Sequence, residues 1–197
     1  MARKLTAWLS IGSTYSYLTA MRIKEVVKKE DINLSIIPIS IRQIMKSMDN
    51  IPFPPSKQTK VNYMWRDIER RAALYKIPVP KVPAPYPLKE FDRANLVGIV
   101  MNDKGLYLDY FKYTYEEWFL NGNEAGSKQN LEVTLKKFGL DVKETIALAD
   151  TMEERYRVNT TRALDFGIFG VPSFSFSNEI FWGDDRLEDA IRLAPQK

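Results

Sequence analysis

Gly170-Val171-Pro172-Ser173-Phe174-Ser175-Phe176-Ser177 decides how this chain of 197 residues is read. From Ser173 onward serine and phenylalanine alternate without exception. A period of two predicts a half-buried strand with one apolar face. The proline before it fits an ordinary trans residue opening a strand, or a cis X-Pro bond, which is costly enough to mark a purposeful turn. Ser177-Asn178 reads as a turn and Glu179 to Trp182 as the returning strand. Gly183 then leads into a final helix from near Asp184, with Leu187, Ala190, Ile191 and Leu193 as its apolar positions. Upstream, Thr151 to Phe166 carries Met152, Tyr156, Ala163 and Phe166 at helical spacing, and Gly167 closes it. The C-terminal part is therefore helix, strand, strand, helix.

The N-terminal part is a different unit. Leu5 to Leu9 is short and apolar, as a buried strand is. Tyr15 to Lys29 is helical in pattern, with Ala20, Ile23 and Val27 inward. Leu34 to Ile39 is β-branched and reads as a second strand, with Pro38 at a sheet edge or an exit. Strand, helix and strand in this span make a βαβ unit, so the two strands run parallel.

Between these units lies a helical stretch. Ile41 to Met48 is a short helical turn, and Asn50 to Ser56 a proline loop. Val61, Met64, Trp65, Ile68, Ala72 and Tyr75 mark one face of a long helix ending before Pro78. Val79 to Pro87 holds four prolines and is extended. Helices follow at Asp92 to Asn102, with Leu96, Val97, Val100 and Met101 on one side, and at Leu106 to Leu120, which is strongly aromatic. Ser127 to Phe138 and a short helix opened by Asp141 and Glu144 complete the block. With the block removed, β-α-β followed by α-β-β-α is the order of a thioredoxin-type domain. The fold expected is α/β: residues 1–40 and 151–197 form the thioredoxin-like domain, and 41–150 an all-helical insertion domain.

Composition excludes several chemistries. The chain has no cysteine and no histidine. It can supply no thiolate, disulfide, Ser-His-Asp triad or cysteine metal site of its own. If the chain is an enzyme, its reactive group is expected to be borrowed from a cofactor or from the substrate. The net charge is +4, from 29 basic and 25 acidic residues. These are interspersed, so no nucleic-acid partner is expected. No apolar run reaches the roughly 20 residues of a membrane span. The N-terminus lacks a cleavage pattern, so a soluble, cytoplasmic chain is expected.

Ile11-Gly12-Ser13-Thr14-Tyr15 joins the first strand to the first helix. Ser13 there is either an N-cap or a hydroxyl held beside an anion at the positive end of a helix. In Trp182-Gly183-Asp184-Asp185-Arg186, Asp184 can cap the last helix while Asp185 reaches a ligand. A free carboxylate near an anion site suits a zwitterion. Asn50 and Lys60 flank the proline loop; taken singly, either is surface.

Together, Ser13-Thr14-Tyr15-Ser16-Tyr17-Leu18, the Lys60…Tyr63…Asp67…Arg71-Ala72 helix, Phe169-Gly170-Val171-Pro172 and Phe181 to Arg186 resemble the 2-hydroxychromene-2-carboxylate isomerases, relatives of the kappa-class glutathione transferases. The likeness covers nearly the whole chain. It implies a homodimer that binds glutathione, a cis proline at Pro172, and Ser13 as the catalytic hydroxyl donating to the glutathione sulfur. It implies glutathione contacts from Asn50, Lys60, Val171, Asp184 and Asp185. The Val171 backbone would pair with the cysteinyl unit, Asp185 with the γ-glutamyl ammonium and Lys60 with a carboxylate. The implied reaction is isomerisation of an aromatic conjugated carboxylate by reversible thiolate addition. A transferase or peroxidase that consumes glutathione, or a member that binds without turnover, are the alternatives. Thr14 stands where the family usually has proline, and Pro85-Tyr86-Pro87 lacks the asparagine that the isomerases tend to show.

Overall fold

The computed structural model describes residues 3–50, 53–54 and 56–195. Strand β1 (Arg3–Leu9) is followed by helices α1 (Ser16–Ala20) and α2 (Ile23–Lys29) and by β2 (Ile32–Pro38). Helices α3 (Ile41–Ser47), α4 (Gln58–Tyr75), α5 (Arg93–Asp103), α6 (Tyr107–Phe119), α7 (Lys128–Lys136), α8 (Val142–Asp150) and α9 (Glu153–Phe166) come next. Strands β3 (Ser173–Phe176) and β4 (Glu179–Trp182), a 3-10 turn (Asp184–Arg186) and α10 (Leu187–Leu193) end the chain.

The four strands form one sheet in the order β2-β1-β3-β4. β1 pairs parallel with β2 and antiparallel with β3, and β3 pairs antiparallel with β4. The chain's first and last strands are thus interleaved, and Pro38 sits on the edge strand, where its missing N–H leaves no ladder bond unmade. β1 is apolar on both faces. Leu5, Ala7 and Leu9 enter the main core with the aromatic residues of α6, while Trp8 joins a smaller cluster with Ile39, Ile44 and Ala163.

Three expectations are corrected. The helix over Tyr15 to Lys29 is broken at Met21-Arg22, which turns the Arg22 guanidinium inward to the Asp184 carbonyl and Glu188. β3 is not half-buried: Ser173 and Ser175 are as buried as Phe174, because the strand lies inside the sheet and the smaller cluster covers its serine side. Ser175 Oγ accepts from Trp8 Nε1 at 2.8 Å. α5 buries nearly every position from Ala94 to Met101 rather than one stripe. On α10, Leu193 is exposed while Leu187, Ala190 and Ile191 are buried. The proline-loop expectation falls partly on residues 51, 52 and 55, outside the described residues; Phe53, Pro54 and Ser56 are irregular.

α4 follows its pattern closely, burying Val61, Met64, Trp65, Ile68 and Ala72. That fixes which of its side chains face the turn after β1. Ser127 and Asp141 cap α7 and α8, accepting from Asn130 N at 3.2 Å and Glu144 N at 2.8 Å.

Candidate functional site

The turn after β1 points Ser13 into a cavity of about 890 Å³. Gly12 carries φ +148°, and a Cβ there would press on the Phe91 ring at 3.0 Å. Glycine therefore allows the turn and the close approach of Phe91 together. Ser13 is half-buried, and its Oγ donates to the Val171 carbonyl at 3.1 Å. It is not a cap: Tyr15 holds the capping position of α1 without a side-chain hydrogen bond, and α1 has only 5 residues. A helix end of that length adds little to anion binding. Thr14 is buried, its Oγ1 donating to Met64 Sδ at 2.9 Å. The position that differs from the resembled family is thus packed into α4 and directs no side chain toward Val171.

The opposite wall is the segment before β3. The Val171–Pro172 peptide is cis. The Pro172 carbonyl accepts from Gly183 N at 2.9 Å, tying this segment to the β4 exit. Among the described residues the Val171 N–H has no hydrogen-bond partner. A Cβ on Gly170 would lie 2.3 Å from Trp182 Nε1, so the indole rests directly on the glycine. Phe169 meets the same indole edge-on, with ring centroids 4.9 Å apart.

The two aspartates after Gly183 part company. Asp184 is 4% exposed and accepts from Arg71 Nη2 at 3.1 Å. Burial raises its carboxyl above the ordinary aspartate value, and Arg71 opposes that rise. Its side chain does not cap the last helix, contrary to expectation. Asp185 is exposed, lies 3.4 Å from Arg186 and lines the cavity together with Arg71. Gly183 makes the divergence possible, at φ +120°, since a Cβ there would meet Asp185 Oδ1 at 2.5 Å.

Asn50 and Lys60 approach from the remaining side, both exposed. Lys60 Nζ lies 5.1 Å from the centre of the Phe53 ring, a cation–π distance that leaves its charge available. Tyr15 adds a phenol, donating to Asp67 Oδ2 at 3.0 Å. Burial and the Asp67 carboxylate hold that phenol protonated far above its usual range.

A model of the DSBA-like thioredoxin domain matches residues 4–192. The chain belongs to that family. This DSBA-like chain is 25% identical over 189 residues to a 2-hydroxychromene-2-carboxylate isomerase of Pseudomonas sp. (strain C18), covering 93% of this chain and 87% of the relative. A protein of the same name from Sphingobium xenophagum is 23% identical over 193 residues, covering 95% and 96%. A solved 2-hydroxychromene-2-carboxylate isomerase superposes with TM-score 0.82 at 22% identity, covering 94% of this chain and 91% of that one. DsbA of Chlamydia trachomatis superposes with TM-score 0.58 at 10% identity, covering 96% and 84%. These superpositions establish a shared fold.

In the DSBA-like chain, Ser13, Asn50, Lys60, Val171, Asp184 and Asp185 all line the one cavity. They come from four separate stretches of sequence. The Asp184 carboxylate is buried and accepts from Arg71, while Asp185 is the exposed one of the two. Sequence reasoning did not single out Arg71, Tyr15 or Asp67 as site residues, although all three line the cavity. The signal was present in the i, i+4 spacing of Asp67 and Arg71, which places both on one side of α4. What that side faces is a tertiary fact.

Proposed function

We propose that this DSBA-like chain is a glutathione-dependent isomerase of an aromatic conjugated carboxylate. The observation that carries the reading is the single hydrogen bond from Ser13 Oγ to the Val171 carbonyl at 3.1 Å. It brings the Ser13 hydroxyl, which lines the cavity, beside a strand-like edge able to pair with a short peptide. The names of the relatives support isomerase chemistry. With no cysteine in the chain, a thiolate nucleophile has to be borrowed.

The residues fit glutathione. The cavity of about 890 Å³ lies within the range usual for small-molecule sites and leaves room for a second, aromatic molecule. Val171 offers a backbone N–H and C=O to the cysteinyl unit. Asp185 would take the γ-glutamyl ammonium, Lys60 a carboxylate, and Asn50 a further polar contact. Asp184 acts from behind, holding the 3-10 turn against Arg71. Glutathione would supply the thiolate that the chain cannot make.

Ser13 has one proton to donate. With a peptide paired to Val171, the Val171 carbonyl accepts from the cysteinyl N–H and Ser13 Oγ is released toward the sulfur. A hydroxyl donor stabilises the thiolate over the thiol and so lowers the thiol pKa. Phe169, Trp182 and Phe91 line the same cavity and exclude water from a planar second substrate.

The deciding experiment is an ultraviolet titration of glutathione thiolate with the protein and with Ser13→Ala. The protein is expected to lower the bound thiol pKa, and Ser13→Ala to return it toward the free value while glutathione still binds. An unchanged thiol pKa in the Ser13→Ala complex refutes the role of Ser13. Steady consumption of glutathione during turnover would move the reaction from isomerase to transferase.

A further inference from the structure

The turn that carries Ser13 is shaped from behind by helices that lie between β2 and β3 in the chain. Asn95 of α5, fully buried, accepts from Ile11 N at 2.7 Å and donates to the Ile11 carbonyl at 2.9 Å. Tyr115 of α6, also fully buried, takes the next step of the turn. Its Oη donates to the Ser13 carbonyl at 2.7 Å and accepts from Gly12 N at 3.4 Å. Each side chain thus holds one donor and one acceptor of three consecutive residues, in a place water does not reach.

We infer that Tyr115 is a positioning residue for the Ser13 hydroxyl. The inference rests on the reading of Ser13 as the donor to a glutathione sulfur. Once the Gly12 N–H and the Ser13 carbonyl are fixed, the Ser13 side chain keeps only rotation about χ1. Two of its orientations matter: toward Val171, as observed, and toward the cavity. Without the phenolic hydroxyl the Ile11–Gly12 peptide loses the acceptor of its N–H, though Asn95 still holds its carbonyl, and the Ser13–Thr14 peptide loses the donor to its carbonyl, which keeps only Ser16 N at 3.2 Å. The Ser13–Thr14 peptide can then tilt and carry Ser13 with it, and a displacement of about 1 Å is enough to spoil a catalytic hydrogen bond. Tyr115 does not touch the sulfur site itself. Its ring packs among Tyr17, Phe111, Trp118 and Phe119, which Phe at this position would keep.

The test compares wild type, Tyr115→Phe and Ser13→Ala for the pKa of bound glutathione, its Kd by calorimetry, and kcat. Tyr115→Phe is expected to raise the bound thiol pKa by about one unit, which is about tenfold less thiolate below that pKa. The melting temperature should fall by a few degrees, as loss of a buried hydrogen-bond partner requires, while Kd stays close to wild type; a merely structural role does not shift the thiol pKa of a ligand that still binds normally. Tyr115→Met, which also fills the space without a hydroxyl, should give the same shift if the phenylalanine variant does not fold. A wild-type thiol pKa in the folded Tyr115 variants, with Ser13→Ala shifted, overturns the positioning role alone. An unshifted Ser13→Ala overturns the reading of Ser13 and this inference with it.

Discussion

Removing Arg71 should cost more than removing its partner Asp184, and the difference should depend on pH. The Asp184 carboxylate is enclosed, with a side-chain exposure of 5%, while the Arg71 side chain keeps 25%. Arg71→Met therefore leaves the buried carboxylate to the weaker hold of Arg22 and Tyr75, and breaking such a pair from one side costs up to about 3 kcal/mol. Asp184→Asn leaves an amide that still accepts a hydrogen bond and an arginine that can reach water, so about 1 kcal/mol is expected. The sign with pH follows from the carboxyl. Burial raises its folded pKa above the unfolded value, and Arg71 holds the rise in check. Without Arg71 the folded pKa moves further up. The folded variant then takes up a proton more readily than its unfolded chain, so protonation stabilises it as pH falls. The deficit of Arg71→Met relative to wild type should be largest near neutrality and shrink as pH drops through the raised pKa. Urea unfolding of wild type, both single variants and the double variant at several pH values measures this. Equal losses for the two single variants, or a deficit that grows in acid, would refute the account of Asp184 as a buried, Arg71-held group.

Two further expectations concern the cavity walls, beside those for Ser13 and Tyr115 above. Asp185→Asn and Lys60→Gln should each weaken glutathione binding by about tenfold, a charge-assisted contact of about 1.5 kcal/mol, while leaving the unfolding midpoint unchanged, since both side chains are exposed. Calorimetry alongside urea unfolding separates the two effects, and a matching loss of stability would count against a ligand role. Gly170→Ala places a methyl 2.3 Å from Trp182 Nε1. Trp182 is 54% exposed and can swing outward, so the variant should fold yet lose the indole wall. A red shift of tryptophan emission with weakened ligand binding is the expected signature.

The sequence went far where the deciding physics is local or periodic. Period-two alternation marked β3, the run of Val61 to Ala72 marked the buried face of α4, and Ser127 and Asp141 marked helix starts, because each depends on neighbours within one or two turns. It went less far where an element's surroundings override its own pattern. β3 reads as half-buried, yet Ser173 and Ser175 are inside because β1 and β4 flank the strand and a second cluster covers its serine side. The helix over Tyr15 to Lys29 reads as continuous, yet it breaks where Arg22 turns toward Asp184 and Glu188.

The site divides in the same way. Composition alone determined that any thiol chemistry must be borrowed, because a chain without cysteine or histidine has no group of the right pKa. The motifs determined which residues to look for, including Ser13, Val171 and Asp185. Only the tertiary structure decided the division of labour between Asp184 and Asp185, the partner of Thr14, and the hold that Asn95 and Tyr115 keep on the turn. Apart from Asp185 beside its neighbour Arg186, those contacts join residues 50 or more positions apart, as in Thr14 to Met64 at 50 and Tyr115 to Ser13 at 102. No local pattern encodes which side chain will meet which across such a span; packing of the whole core does.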